Sequence, residues 1–172
     1  MNRKMLELSF IIIIMIGVIT GCSHNVKTES GRSVVKVERI VDGDTFAIQL
    51  AGKAEKVRLI GMDTPETKKP NTPIMFYGEE ASAYTTKRLT NQTISLEWDV
   101  ERRDQYGRLL AYVWIGKELF NETLILQGYA RLSTFPPNIK YVKRFTQDQK
   151  QAREQGNGIW QNYSAAFDLK QK

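Results

Sequence analysis

The sequence contains very few of the side chains that bind soft metals or form cross-links. Among its 172 residues there is one Cys and one His. A single Cys excludes an internal disulfide, and one Cys with one His cannot supply the ligand set of a structural zinc site. Any metal that this protein binds must therefore be held by oxygen atoms.

The N-terminal apolar run is too short to span a bilayer as a stable helix. It extends over residues 10–19, is interrupted only by Gly17, and is preceded by Arg3 and Lys4. A run of this length behind basic residues is typical of the core of an export signal. We therefore exclude it from the predicted fold.

The tetrapeptide Ile19-Thr20-Gly21-Cys22 begins at the last residue of this run and resembles the lipobox of bacterial lipoproteins. In such proteins the signal is cleaved before the Cys, and the thiol carries a diacylglyceryl group. We expect residues 1–21 to be a lipoprotein-type signal peptide and Cys22 to be the lipidation site. The protein would then be extracytoplasmic and anchored to the cell membrane, with a secreted form as a further option. A plain secretory signal with an incidental Cys and an uncleaved N-terminal anchor are the alternatives, and both also export the chain.

The chain as a whole is basic and large enough for one hydrophobic core. Lys and Arg number 25 against 19 Asp and Glu, which gives a formal net charge of +6, and 41% of the residues are hydrophobic. This balance favours acidic partners such as nucleic acid or an anionic membrane. Residues 22–32 are almost entirely polar and predict a flexible tether, residues 33–161 predict a single folded domain, and residues 162–172 predict a polar tail.

The hydrophobic periodicity predicts five short strands with helices appended. The strands are centred on alternating apolar residues. The first helix is predicted by acidic residues in its first turn and basic residues in its last, and the second and third helices end at glycines. Asn121 is suited to cap the second helix. The expected strands lie near 35–37, 46–50, 57–59, 93–98 and 109–114, and the expected helices near 79–89, 121–128 and 140–155. This pattern predicts an α+β fold, a five-stranded OB-fold barrel with about three appended helices.

Three acidic turn motifs could carry chemistry, although each is weak alone. They are Asp42-Gly43-Asp44-Thr45, Asp63-Thr64-Pro65-Glu66 and Asp104-Gln105-Tyr106-Gly107-Arg108. The first by itself predicts a type I′ hairpin turn with Asp and Gly at positive φ.

Their arrangement brings four charged residues to one end of the predicted barrel. Asp44 opens the second strand, Arg58 lies on the third, and Asp63 and Glu66 follow that strand directly. Carboxylates without a soft ligand favour a hard cation, Ca²⁺ before Mg²⁺ and well before Zn²⁺. An arginine fork is the planar partner for a phosphate.

Five blocks of sequence closely resemble the staphylococcal nuclease (thermonuclease) family, in the family's order and near its spacing. The blocks are IVDGDT at 40–45, RLIGMDTPETK at 58–68, YGEEASA at 77–83, DQYGRLLAY at 104–112 and GIW at 158–160. The resemblance implies an OB-fold, Ca²⁺-dependent phosphodiesterase that acts on DNA and RNA and leaves 3′-phosphate ends.

The resemblance also implies roles for individual residues. Asp44 and Asp63 would be calcium-binding carboxylates, the Thr64 carbonyl would complete part of the shell, and Asp42 would act behind them through water. The catalytic residues implied are Arg58 and Arg108, which would clamp the phosphate, and Glu66, which would handle the attacking water.

Two positions depart from the family pattern. Where the family has two tyrosines next to the nucleotide base, this chain has Ser133-Thr134-Phe135-Pro136-Pro137 and is one residue shorter. Gln105 replaces the family's usual Lys before Tyr-Gly-Arg. Base stacking and contact with a terminal phosphate therefore do not carry over from the resemblance.

The leading hypothesis is an exported, lipid-anchored and monomeric nuclease whose partners are DNA and RNA, with the membrane reached through Cys22. A non-catalytic OB module that holds nucleic acid at the cell surface is the first alternative. A structural envelope lipoprotein is the second, and it leaves the five blocks without an explanation.

Overall fold

The structure is a computed structural model that describes residues 28–29, 31–67 and 74–166. The predicted signal peptide and Cys22 lie outside the described residues. The strands are β1 (Thr28–Glu29), β2 (Arg32–Asp42), β3 (Thr45–Leu50), β4 (Lys53–Leu59), β5 (Met62–Asp63), β6 (Thr93–Glu97), β7 (Leu109–Ile115), β8 (Glu118–Leu119) and β9 (Arg131–Leu132). The helices are α1 (Gly78–Leu89), α2 (Phe120–Leu126), α3 (Val142–Glu154) and α4 (Tyr163–Ala166), with a 3₁₀ helix at Gly158–Gln161 between the last two.

Five strands close into a barrel. The order β2-β3-β4-β7-β6 ends with β6 paired back to β2, and β4 and β7 run parallel while the other neighbours are antiparallel. The first half of β2 pairs with β6 and the second half with β3. Register shifts between Val37 and Arg39 and between Ile40 and Asp42 accompany this change of partner, and such bulges bend a strand. The barrel and its three longer helices confirm the predicted α+β OB-fold.

The barrel interior holds the apolar faces of the strands and of the helices packed against it. Val37, Phe46, Ile48, Val57 and Leu96 are fully buried from the strands. The helices contribute buried residues in turn, among them Leu89, Leu124 and Phe145. Helix α1 has Glu79 and Glu80 in its first turn and Lys87 and Arg88 in its last, which complements the helix dipole.

The chain crosses itself closely where the 3₁₀ helix packs against the end of α2. Gly128 has φ +75° and accepts a hydrogen bond from the backbone N–H of Ile159 at 2.9 Å. A Cβ on Gly128 would lie 2.2 Å from the carbonyl oxygen of Asn157, and one on Gly158 would lie 2.1 Å from the Gly128 oxygen. Both positions therefore require glycine for space as well as for conformation.

The cap predicted at Asn121 is wrong. Asn121 lies inside α2, fully buried, where its Oδ1 accepts the Val113 N–H at 2.8 Å and its Nδ2 donates to the Ile60 carbonyl at 3.0 Å. The side chain is consumed by satisfying backbone groups of a strand and a loop that only the folded barrel brings near.

Two short elements fall in segments predicted as tether and tail. Thr28–Glu29 pairs with Arg32–Ser33, and α4 (Tyr163–Ala166) buries Ala166 against Ile159. In the part of the chain that is described, no helix has the length and apolar character needed to cross a membrane.

Candidate active site

One arginine joins two of the predicted metal ligands. Arg58 lies opposite Thr45 in the β3–β4 ladder, which brings its side chain beside Asp44. Its Nη1 lies 2.6 Å from Oδ2 of Asp44, and its Nη2 donates to Oδ1 of Asp63 at 2.9 Å. Because one guanidinium spans both groups, Asp44 and Asp63 face the same point at the barrel end.

The Arg58 guanidinium is not fully satisfied by these contacts. Nη1 is buried, and its approach to Asp44 is an ion pair without hydrogen-bond alignment, so it has no aligned acceptor among the described residues. A buried donor that lacks an aligned acceptor is costly unless a further partner arrives. The site is therefore suited to an additional anionic group beside Arg58.

The side chain of Asp44 is buried and is oriented by three hydrogen bonds. Only 6% of the residue is exposed. Its Oδ2 accepts hydrogen bonds from the backbone N–H and the hydroxyl of Thr64 at 3.1 and 3.0 Å, and its Oδ1 accepts the Thr45 hydroxyl at 2.9 Å. These contacts join Thr64 to the start of β3. Three of the predicted ligands, Asp44, Asp63 and Thr64, therefore lie next to one another in space.

The turn before Asp44 differs from the predicted type I′ geometry. Asp42 and Gly43 do not have positive φ. A Cβ on Gly43 would instead lie 2.9 Å from Oγ1 of Thr64, so the glycine is needed for close packing. Thr85 of α1 supports this turn, since its hydroxyl donates to the Gly43 carbonyl at 2.7 Å and is fully buried.

Asp42 and Glu66 lie beside this cluster and are linked through Thr67. Oδ1 of Asp42 accepts the Thr67 hydroxyl at 2.8 Å, and Oε1 of Glu66 accepts the Thr67 backbone N–H at 3.0 Å. Burial raises the pKa of Asp42, and the charges of Asp44 and Glu66 add to that rise while hydrogen bonds from Thr67 and Gly43 oppose it. The concentration of negative charge favours a bound cation at this end of the barrel.

Arg108 reaches the site from a separate loop. Its Nε donates to Oδ2 of Asp104 at 2.6 Å, while Oδ1 of Asp104 accepts the backbone N–H groups of Tyr106 and Arg108 at 2.9 and 3.0 Å. This turn fixes the guanidinium at the wall of an open cavity of about 540 Å³ that Arg58 and Asp63 also line. Glu66 is not among the residues that line this cavity.

Sequence reasoning missed Arg131 at this cavity. It lies directly opposite Asp63 in the β5–β9 pair, and its Nη2 donates to Oδ2 of Asp63 at 3.0 Å. The pairing joins residues 68 positions apart, and Arg131 stands in no acidic or glycine-containing motif. Only the three-dimensional pairing of two very short strands reveals it.

The donor set fits a hard divalent cation. Asp44 and Asp63 supply carboxylate oxygens, and the Arg58 guanidinium lies between these two carboxylates. Among the described residues there is no group of three or more His, Cys, Asp or Glu side chains placed to hold a metal. Two carboxylates with backbone and water oxygens would therefore have to form the shell, a composition that Ca²⁺ accepts.

The chain matches one known protein family and is similar to two thermonucleases. The family described as "Staphylococcal nuclease homologue" matches residues 56–162. The thermonuclease of Staphylococcus hyicus is 46% identical over 162 residues, covering 88% of this chain and 96% of that protein. The thermonuclease of Staphylococcus intermedius is 53% identical over 125 residues, covering 73% of this chain and 74% of that protein.

A bacterial relative outside the staphylococci is more distant. The SPbeta prophage-derived endonuclease YokF of Bacillus subtilis (strain 168) is 41% identical over 128 residues, covering 73% of this chain and 43% of that protein. The family match contains Arg58, Asp63, Glu66 and Arg108, and it begins after Asp44.

Proposed function

Because this chain belongs to the staphylococcal nuclease family and is a nuclease that hydrolyses nucleic acids, we propose that it uses Ca²⁺ and leaves 3′-phosphate ends. The observation that carries the proposal is the bridge from Arg58 to Asp44 and Asp63. This bridge brings a guanidinium, which is a planar partner for a phosphate, together with two carboxylates at the barrel end, and so supports the proposal.

Asp44, Asp63 and the Thr64 carbonyl would hold the calcium ion. When bound, the ion would polarise a phosphoryl oxygen and offset the negative charge of the substrate. Asp44 is well suited to this role, because Thr45 and Thr64 fix its orientation before any ligand arrives. Asp42, held by Thr67, stands behind these residues and would act through water.

Arg58 and Arg108 would bind the non-bridging oxygens of the scissile phosphate. Both line the same cavity, and each is oriented by carboxylates, Arg58 by Asp44 and Asp63 and Arg108 by Asp104. Negative charge on these oxygens grows as a water approaches phosphorus. Donors held in advance stabilise that charge without having to reorganise.

Glu66 would orient the attacking water and accept its proton. The water oxygen forms a bond to phosphorus, and the bond between phosphorus and the 5′ oxygen breaks. The 5′ oxygen leaves with a proton from solvent, so that one strand ends in a 3′-phosphate and the other in a 5′-hydroxyl. Glu66 accepts the backbone N–H of Thr67, and its charge acts on Asp42, so it lies near the carboxylates at the barrel end.

Two exposed aromatic side chains would contact the bases. Tyr106 is 75% exposed and Phe135 76% exposed, and both line the cavity that Arg58 and Arg108 share. Aromatic rings bind bases of either sugar type by stacking, with little preference for sequence. We therefore include both single-stranded DNA and RNA as substrates, with Phe135 serving where the family pattern has tyrosines.

The nuclease would act outside the cytoplasm as a lipid-anchored monomer. This part of the proposal rests on the short apolar run and on Cys22, both outside the described residues. Two or more acyl chains on one Cys, together with a basic domain, would give stable membrane binding.

Digestion of end-labelled DNA and RNA by the full chain tests the proposed chemistry. We expect cleavage in Ca²⁺, little cleavage in Mg²⁺ because that ion demands near-octahedral geometry, and none with a chelator. Product ends should be extended by a polymerase only after a phosphatase removes their 3′-phosphate. Full activity in Mg²⁺ with Ca²⁺ chelated, or ends that can be extended directly, would contradict the proposal.

A further inference from the structure

Arg131 is a third arginine at the cavity, and the proposed chemistry does not use it. Its Nη2 holds Oδ2 of Asp63, while Arg58 holds Oδ1 of the same carboxylate. Arg58, Arg108 and Arg131 all line one cavity. The side chain of Arg131 is 31% exposed, and the residue lines this cavity.

The backbone fixes where this guanidinium stands. Arg131 and Asp63 are directly paired in the β5–β9 ladder, and the hydroxyl of Tyr163 lies 3.4 Å from Nη1 of Arg131. Tyr163 belongs to α4, which follows the 3₁₀ helix anchored at Gly128. A long side chain held at both ends of its guanidinium loses little further entropy on binding an anion.

The two arginines on Asp63 stand side by side along the cavity. Their Nη2 atoms are separated at most by two hydrogen bonds and the width of one carboxylate, since each binds a different oxygen of Asp63. This upper limit leaves room for the two arginines to contact two neighbouring phosphates of a single strand. If Arg108 also binds the scissile phosphate, that phosphate cannot make full contact with the guanidinium groups of both Arg58 and Arg131.

We propose that Arg131 binds the phosphate next to the scissile one, so that the enzyme prefers phosphodiesters inside a strand to those at its end. This inference rests on the proposed function, because it presumes that Arg58 and Arg108 take the scissile phosphate. It gives the β5–β9 pair a substrate-binding role besides its role in orienting Asp63. Arg131 is then a residue that determines which linkages are cleaved.

Small substrates with one cleavable linkage test this directly. TpT has a single phosphate, whereas pTpT and TpTp each carry one additional terminal phosphate, on the 5′ or the 3′ side of the same linkage. We expect the wild-type full chain to favour one of the two phosphorylated substrates over TpT by about tenfold in kcat/KM, the size of one charged hydrogen bond. In Arg131→Gln this ratio should fall to near one, while Arg131→Lys should retain most of it.

The ratio separates substrate binding from an effect on Asp63. Any loss that arises only because Asp63 is misplaced should reduce the rates on TpT and on its phosphorylated forms alike, and so leave the ratio unchanged. An unchanged ratio in Arg131→Gln would therefore overturn the inference. Lys117→Gln is the matched control, because it removes one positive charge at the far end of β7, away from Arg108, and should keep the ratio.

A binding measurement in a chelator gives a readout without cleavage. The slope of log affinity for oligothymidylate against log salt should decrease in magnitude by about 0.7 in Arg131→Gln, as expected for the loss of one phosphate contact on a single strand. Lys117→Gln should leave the slope unchanged, and circular dichroism will show whether each variant is folded. Failure of the wild type to cleave oligothymidylate in Ca²⁺ would contradict the proposed function. An unchanged salt slope in Arg131→Gln would instead contradict the role of Arg131.

Discussion

Arg58 and Asp44 form the central contact of the site, with Nη1 of the arginine 2.6 Å from Oδ2 of the aspartate. The contact follows from the register of two neighbouring strands, in which Arg58 lies opposite Thr45, the residue after Asp44. Asp44 is buried and accepts three further hydrogen bonds from Thr45 and Thr64. Asp44 therefore also has a structural role, and a substitution that tests its charge should keep the size and shape of the side chain.

Asp44→Asn should abolish calcium-dependent cleavage while the fold is retained. The amide keeps the volume of the side chain, and Arg58 remains paired with Asp63, but one of the two carboxylates for the cation is lost. Calcium affinity measured by calorimetry should fall at least about tenfold, the equivalent of one charged interaction. Asp148→Asn, on helix α3, is the control and should bind calcium as the wild type does. Wild-type calcium affinity in Asp44→Asn would contradict the assignment.

Gly128→Ala should destabilise the protein far more than Gly156→Ala. Both residues have positive φ, +75° and +64°, so both variants carry the strain of about 1–2 kcal/mol expected for a left-handed alanine. Only at Gly128 would the new Cβ collide with backbone, 2.2 Å from the Asn157 oxygen, whereas nothing lies within 4 Å at Gly156. We expect an additional loss of at least about 2 kcal/mol from overpacking, measured by urea unfolding. Equal losses would show that the close crossing is absent in solution.

A buried carboxylate at the end of β6 should contribute to acid stability. Oε2 of Glu97 accepts the indole N–H of Trp114 at 2.7 Å, and Oε1 accepts the Tyr141 hydroxyl at 2.9 Å and pairs with Lys140 at 2.5 Å. Burial alone would raise the pKa of Glu97, but these hydrogen bonds from Lys140, Tyr141 and Trp114 outweigh it and hold the pKa below its ordinary value of 4.5.

The direction of this pKa shift fixes the pH at which stability is lost. A carboxyl with a lowered folded-state pKa contributes stability above its unfolded-state value, and that contribution disappears as pH falls through the folded-state value. The free energy of unfolding of the wild type should therefore decline below about pH 4.5. Glu97→Gln should be less stable at neutral pH by about 1–3 kcal/mol, and its stability should depend less on pH in the acid range. An acid profile parallel to that of the wild type would exclude Glu97 as the titrating group.

Local patterns predicted the strands and the longer helices well, because alternation in segments such as 46–50 reports directly on which face is buried. They failed where a side chain serves a distant part of the backbone. Asn121 satisfies Val113 and Ile60 instead of capping its helix, and no pattern around residue 121 contains that information.

The candidate site shows the same division. Asp44, Arg58 and Asp63 could be placed together because they flank adjacent strands and stand in recognisable motifs. Arg131 could not, because its position depends on the pairing of two strands of two residues each. The need for glycine at position 43 was predicted for the wrong reason, since the constraint is the packed Thr64 side chain.

Lipidation at Cys22 is a prediction from the sequence alone. Cells that express the wild type with labelled fatty acid should yield a labelled chain that fractionates with membranes, because the short apolar run and the small residues before Cys22 resemble a lipoprotein signal and its lipobox. Cys22→Ser should carry no label and should be recovered without membranes. Equal labelling of both proteins, or a mature N-terminus far beyond residue 22, would show that the Cys is incidental.

The most direct test of the account measures binding and cleavage of one end-labelled oligonucleotide by Glu66→Gln, in Ca²⁺ and at one salt concentration. Glu66 adds no favourable charge for binding a polyanion. The dissociation constant of the Glu66→Gln variant for the oligonucleotide should therefore be equal to that of the wild type or slightly lower. The single-turnover cleavage rate should fall by about 10²–10⁴, the contribution of a general base, while Glu154→Gln on α3 should change neither quantity. A non-catalytic binding module predicts that Glu66→Gln is silent in both assays, and a Glu66→Gln variant that cuts as fast as the wild type would contradict the assignment of Glu66 to the attacking water.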